Sequence, residues 1–338
     1  MKYGTPLALG LVISIGFYFV AVEPNFIKRP YLNNYNTPTW HGKYYDLKPR
    51  GEFEEAFEII ADSVHTPERE ASALAFKEGG IIRHRSTADP RVVLIGDSHA
   101  VMWSKVVDDV TEGLKLTTSL WSMNGVSPFI QVPPIEQRGI YLTQKERLVY
   151  DSQRISLIKK WNPDIVIIAC RWDNVDENLA SDLFRFLESS AKHVLLIESP
   201  PLLDRVGNRS LFQYMSFLGI TPSDSTSESQ VWHHVRFANT LSTRKKIVNF
   251  AFDRSNFSFL PTADLFAADS GAIVASGKRV YYLDDDHLTD EGAELAAERI
   301  RKVIQNVLNG DFERFPIVSK PGKEAIKTLH ATALLRSE

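Results

Sequence analysis

Cysteine is almost absent: Cys170 is the only one among 338 residues. A lone cysteine excludes an internal disulfide and any zinc site built on paired cysteines. It follows an apolar run, Ile165–Ala169, which marks it as a packing residue rather than a nucleophile. An excess of charge of one sign is also missing. Lys and Arg number 39 against 42 Asp and Glu, a formal net charge of −3. That balance offers no global electrostatic case for binding nucleic acid. No glycine-rich G-x-G-x-x-G turn follows a strand, so no nucleotide site is indicated. No internal repeat appears. With 43% apolar and 24% charged residues, the composition excludes wholesale disorder and a multi-span transporter.

What is present begins with an uncharged stretch over residues 3–22, preceded by Lys2 and closed by Glu23. Twenty helical residues span about 30 Å, the thickness of a bilayer core. A single-pass anchor over residues 1–22 is the expectation. A cleaved signal peptide is the alternative, although Val20-Ala21-Val22 makes a poor cleavage motif. A buried globular helix would need a polar face that this stretch lacks. Residues 23–88 read as a stalk followed by a helical extension. Prolines 24, 30, 38 and 49 keep the stalk extended, and residues 51–78 carry helical spacing that Gly79-Gly80 stops.

After Pro90 short apolar runs alternate with amphipathic stretches. Strands are predicted at residues 92–95, 116–121, 165–169, 194–197 and, more weakly, 257–260. Helices are predicted at 100–114, 144–161, 179–190, 231–252 and 291–308. Strands apolar throughout, separated by helices, imply a parallel sheet covered on both faces, a doubly wound α/β domain over residues 89–310. Residues 311–338 read as a tail. Such sheets place their sites at the carboxyl ends of the strands.

The first of these strands ends in Gly96-Asp97-Ser98-His99. The glycine permits a sharp turn, and a serine at the start of a helix lies among free N–H groups that favour an oxyanion. The position equally suits a serine that caps the helix, and this segment alone does not separate the two. His99, next in line, is expected to face away along the helix, in a packing or hydrogen-bonding role. Far downstream stands Asp284-Asp285-Asp286-His287-Leu288-Thr289. His287 can take a serine proton, and Asp284 can hold its imidazole. The plainer reading of the three aspartates is a solvated acidic turn. The spacing lacks the glycine and distal glutamate of an EF-hand, and no metal is expected. Thr289 reads as a helix N-cap. His233-His234 has no partner at metal-ligand spacing. Asn208-Arg209-Ser210 and Asn256-Phe257-Ser258 match glycosylation sequons, as short motifs often do by chance.

Taken together, Gly-Asp-Ser-His after the first strand and Asp-x-x-His before the last helix resemble the SGNH (GDSL-type) hydrolase superfamily. That resemblance implies a flavodoxin-like three-layer α/β/α fold. It also implies Ser98 as nucleophile, His287 as base and Asp284 as third member of the triad. The superfamily's second block matches Asn124-Gly125, which makes the Gly125 N–H an oxyanion donor beside that of Ser98; a simple turn glycine is the plainer alternative. The third block departs. The superfamily ends this strand in Gly-x-Asn-Asp, whereas here it ends Ala169-Cys170-Arg171-Trp172-Asp173-Asn174. Asp173 stands where the donor asparagine belongs, and a carboxylate cannot stabilise an oxyanion. Either Asn174 or Arg171 supplies the third donor, or the hole has two.

The same departure narrows the family. Ala-x-Arg-Trp on the third strand, Gly96-Asp97-Ser98-His99-Ala100, and Tyr282-Leu283-Asp284-x-x-His287-Leu288-Thr289-x-x-Gly292-Ala293 are similar to the SGNH domain fused to acyltransferase-3 membrane proteins. Those resemble O-acetyltransferases of O-antigen and other envelope polysaccharides. The resemblance implies a domain facing the periplasm from the bacterial inner membrane, with an acyl donor and an envelope glycan as substrates. The N-terminal helix and stalk resemble the last span and linker of a polytopic acyltransferase-3 protein, or a free-standing partner of one, and no cofactor is implied. Arg171 and Trp172 become candidates for substrate contact, Trp172 by stacking on a sugar ring, with a core or rim aromatic as the alternative. The leading expectation is an O-acyltransferase. An esterase with the same triad comes second, and a glycan-binding module without chemistry third.

Overall fold

A computed structural model describes residues 80–83, 89–122, 126–130, 144–204, 229–233, 235–252, 254–268, 271–277 and 279–311. The predicted anchor, the stalk with most of its extension, and nearly all of the tail lie outside the described residues. Among the described residues no helix is long and apolar enough to cross a membrane.

The main sheet has six strands: β1 (Ile81–Arg83), β2 (Val92–Gly96), β3 (Thr118–Ser122), β4 (Ile165–Ala169), β5 (His193–Ile197) and, skipping one strand of a second sheet, β7 (Phe257–Leu260). Their order is β1-β3-β2-β4-β5-β7. All neighbours pair in parallel except β1, which runs antiparallel to β3 at the edge. Every residue of β2, β4 and β5 is buried, because helices cover both faces. Alternation then divides the core. Val92 and Leu94 pack on one side with α1 (Ser98–Gly113) and the closing helix. Val93 and Ile95 pack on the other with α2 (Gln144–Trp161), α3 (Glu177–Ser190) and α4 (Phe237–Phe252).

The chain leaves β2 for β3 on one side, then crosses back to β4 on the other. The carboxyl end of β2 is therefore the point where the winding reverses, where open sheets leave a crevice. Close packing there demands glycine. A Cβ on Gly96 would lie 1.8 Å from the Ala169 carbonyl oxygen on β4.

Two predicted helices differ in the structure. Residues 229–232 form a strand, β6 (Ser229–Trp232), and α4 begins only at Phe237. The closing helix is two pieces, α5 (Asp290–Glu294) and α6 (Ala297–Asn309), broken at Leu295-Ala296. A second, antiparallel sheet was not anticipated. It joins β6 to β9 (Gly271–Ser276) and β10 (Arg279–Val280), with β8 (Ala267–Ala268) on β9. This small sheet delivers the chain to the Asp284–His287 loop. The Tyr281 N–H donates to the Val274 carbonyl at 2.9 Å, and Thr289 N–H donates to the Tyr281 carbonyl at 3.1 Å.

Candidate active site

Asp97, not Ser98, is the N-cap of α1. Its Oδ1 accepts the His99 N–H at 2.9 Å, and its Oδ2 accepts the Arg171 N–H at 3.0 Å. Ser98 is thereby left as the first helical residue, half-buried, with its hydroxyl free for chemistry and its N–H at the helix's positive end.

The loop after β10 folds back on itself. Leu283 N–H donates to the His287 carbonyl at 2.8 Å. Asp284 Oδ1 accepts the N–H groups of Asp286 (2.9 Å) and His287 (2.8 Å), tying the turn from inside. Thr289 caps α5, as the sequence predicts, accepting the Gly292 N–H at 3.1 Å. Leu288 N–H points at the Met102 sulfur of α1, docking the loop on the helix that begins with Ser98.

Ser98 and His287, 189 residues apart, meet at 2.8 Å between Oγ and Nε2. His287 Nδ1 lies 2.9 Å from both carboxylate oxygens of Asp284. Serine, imidazole and carboxylate are thus in series. A proton leaving Ser98 has an acceptor, and the imidazolium so formed has a counter-charge.

Two features around the triad were not foreseen. Asp286 is no solvated turn residue: its Oδ1 stands 2.9 Å from His287 Nδ1, and its Oδ2 3.1 Å from Arg171 Nη1. His99 does not face away. It is 1% exposed, with its ring centroid 4.9 Å from that of His287 and its Nε2 3.8 Å from Asp286. Burial alone would lower His287, but the charges of Asp284 and Asp286 more than offset it and hold the imidazole well above its ordinary value. Burial alone would raise Asp286, yet His287 and His99 hold it far below the usual carboxylate range. His99, Asp286 and His287 bring a donor atom each within 4.8 Å of one another. Those of Asp286 and His287 already serve Arg171, Ser98 and Asp284, so a cation there would have to dismantle the triad.

The remaining candidates separate clearly. Trp172 is fully buried and donates its indole N–H to the Ile197 carbonyl at 2.7 Å. The expected stacking on a sugar is corrected: Trp172 is a core residue, because the chain turns inward after Arg171. Arg171 is exposed, pairing with Asp173 (Nε to Oδ1, 3.2 Å) as well as Asp286. With Asp173, Ser199, Pro200, Leu202, Thr240 and Thr243 it lines a shallow, open surface hollow. Arg171 therefore belongs both to this hollow and to the triad's surroundings. Gly125 and the Asn174 side chain lie outside the described residues; the Asn174 backbone ends a 3₁₀ turn, Trp172–Asn174. Cys170 is buried, which pushes its thiol well above the ordinary value and removes it as a nucleophile. Asn256 gives its amide to the Glu188 and Ala191 carbonyls at 3.4 and 3.2 Å, so this sequon is a structural bridge.

The chain belongs to the family described as SGNH domain (fused to AT3 domains), whose model matches residues 65–302, more than half of the chain. Among solved structures it is similar to the periplasmic domain of a lipopolysaccharide acetyltransferase from Salmonella ser. Paratyphi A. The identity is 15% and the TM-score 0.52, over 75% of this chain and 97% of that one. A chain from Streptococcus pneumonia described as a platelet activating factor matches at 10% identity and TM-score 0.38, over 74% and 98% of the two chains. No curated protein matches.

Proposed function

We propose that the chain is an extracytoplasmic O-acyltransferase that moves an acyl group, acetyl in the first instance, onto a hydroxyl of a cell-envelope polysaccharide. The observation that carries this reading is the unbroken series from Ser98 Oγ through His287 to Asp284, at 2.8 and 2.9 Å. The family's fusion to AT3 domains and the description of the Salmonella domain give the reading its direction. An acyltransferase-3 membrane protein is the partner that supplies acyl groups. Residues 1–22 act as the anchor, holding the domain at the periplasmic face of the bacterial inner membrane.

Ser98 Oγ attacks the carbonyl of the acyl donor while its proton passes to His287 Nε2. The tetrahedral oxyanion is met by the N–H groups of Ser98 and Gly125, with Asn174 as a third donor. Collapse breaks the bond to the leaving group, which takes the proton from His287. A sugar hydroxyl then enters, gives its proton to His287 and attacks the Ser98 ester. The second collapse releases the acylated sugar and returns the proton to Ser98. Asp284 orients His287 throughout. Transferase and esterase differ only in whether sugar or water reaches the acyl-enzyme.

The test uses the full chain in detergent with p-nitrophenyl acetate, with and without an oligosaccharide acceptor. Acetylated sugar formed by the wild type and not by Ser98→Ala is the expected result. Ser98-dependent p-nitrophenol release with no acetylated sugar would make the chain an esterase. The absence of any Ser98-dependent turnover would overturn the catalytic reading and favour a binding module.

A further inference from the structure

We infer that Asp286 is a second positioning carboxylate for His287, and that Arg171 sets how much of its charge the imidazole feels. The geometry rests on three distances. Asp286 Oδ1 stands 2.9 Å from His287 Nδ1, Asp286 Oδ2 stands 3.1 Å from Arg171 Nη1, and the same Oδ2 is 3.8 Å from His99 Nε2. Asp284 takes the ring N–H, and its Oδ1 also accepts two backbone N–H groups, so part of its charge is spent on the turn. Asp286 faces the same nitrogen and is engaged by the Arg171 guanidinium instead.

The groups around His287 come from three elements. From α1 come Ser98 at Nε2 and the ring of His99. From the loop itself come Asp284 and Asp286. From the end of β4 comes Arg171, which reaches His287 only through Asp286 and is itself held by Asp173 and, at its N–H, by Asp97. Two carboxylates thus face one imidazole, and one of them is shared with a guanidinium. When His287 takes the Ser98 proton, the new positive charge meets both. Removing Asp286 weakens that stabilisation; removing Arg171 returns the full charge of Asp286 to the ring.

This inference rests on the acyl-transfer reading only for its kinetic readout; a second readout is independent of activity. In the full chain, the imidazole resonance of His287, assigned by its loss in His287→Gln, is titrated by NMR. The pH dependence of kcat/KM for p-nitrophenyl acetate is measured beside it. Asp286→Asn moves the titration midpoint and the acid limb to lower pH by about one unit, and Arg171→Ala moves both to higher pH. General damage to the fold would not produce opposite signs. Adding Asp286→Asn to Asp284→Asn costs roughly a further tenfold in kcat/KM. If Asp286→Asn leaves the midpoint unmoved, or both variants shift it in one direction, the inference is overturned. If the wild type turns over no ester, the functional reading falls and the NMR midpoints alone decide the role of Asp286.

Discussion

Asp97 is bonded to both sides of the crevice: one carboxylate oxygen accepts the His99 N–H at 2.9 Å, the other the Arg171 N–H at 3.0 Å. The first bond caps the helix that begins with Ser98, and the second fixes the strand end that carries Arg171. One short side chain thus sets the spacing between Ser98 and the groups behind His287. An amide can replace only one of the two acceptors. Asp97→Asn is therefore expected to lose about 1 kcal/mol of stability, read from thermal melts, with a larger fall in kcat/KM. Wild-type values on both measurements would contradict the bridging role.

Gly96 is the second fixed point. A methyl group there would lie 1.8 Å from the Ala169 carbonyl oxygen and 2.6 Å from the Ala100 side chain. Backbone cannot yield by that much without parting β2 from β4. Gly96→Ala is expected to fail to accumulate as folded protein, or to melt far below the wild type. A melting temperature within a few degrees of wild type would refute the close approach.

The raised value of His287 has opposite consequences for activity and stability. A base must be neutral to accept the Ser98 proton, so kcat/KM should keep rising with pH above 6.5, the ordinary imidazole value. An acid limb centred at or below that value would count against the paired carboxylates. For stability the sign reverses. The folded value lies above the unfolded one, so the pairing contributes fully below about 6.5 and is lost as pH climbs through the raised value.

His193 works the other way. It starts β5, is buried, and its Nε2 lies 2.7 Å from Ser258 Oγ on β7. Burial lowers it from 6.5 to about 4. Its folded value is depressed, so the unfolded chain takes up a proton first as the pH falls. Between about 6.5 and 4 this costs up to about 3 kcal/mol of stability. Denaturant melts at the two ends of that window should show the loss, and His193→Gln should flatten it. An equally steep loss in the variant would assign the acid sensitivity elsewhere.

Much of this arrangement is legible in the sequence. Helix α2 (Gln144–Trp161) and strands β4 (Ile165–Ala169) and β7 (Phe257–Leu260) fall where the sequence predicts them, β4 because a continuous apolar run has one stable place, inside a parallel sheet. The small antiparallel sheet is not legible. Gly271–Ser276 is built of small residues, and Ser229–Trp232 is too short to show alternation beside a helix. Ser98, Asp284 and His287 stand out by motif, and the structure brings them together. Asp286 and His99 do not stand out. Their approach to His287 depends on a turn closed by Asp284 and on the docking of that turn against α1, neither of which one chain's residue order displays. Trp172 misleads for a related reason: an aromatic at a strand end is read as available, yet the 3₁₀ turn folds it under Ile197.

The central claim is that Ser98 becomes acylated. Brief exposure of the full chain to p-nitrophenyl acetate, an acid quench and peptide mass spectrometry would test it directly. The account predicts an acetyl group on the peptide bearing Ser98 in the wild type, and none there in Ser98→Ala or His287→Ala. An unmodified Ser98 peptide during ester turnover would contradict it.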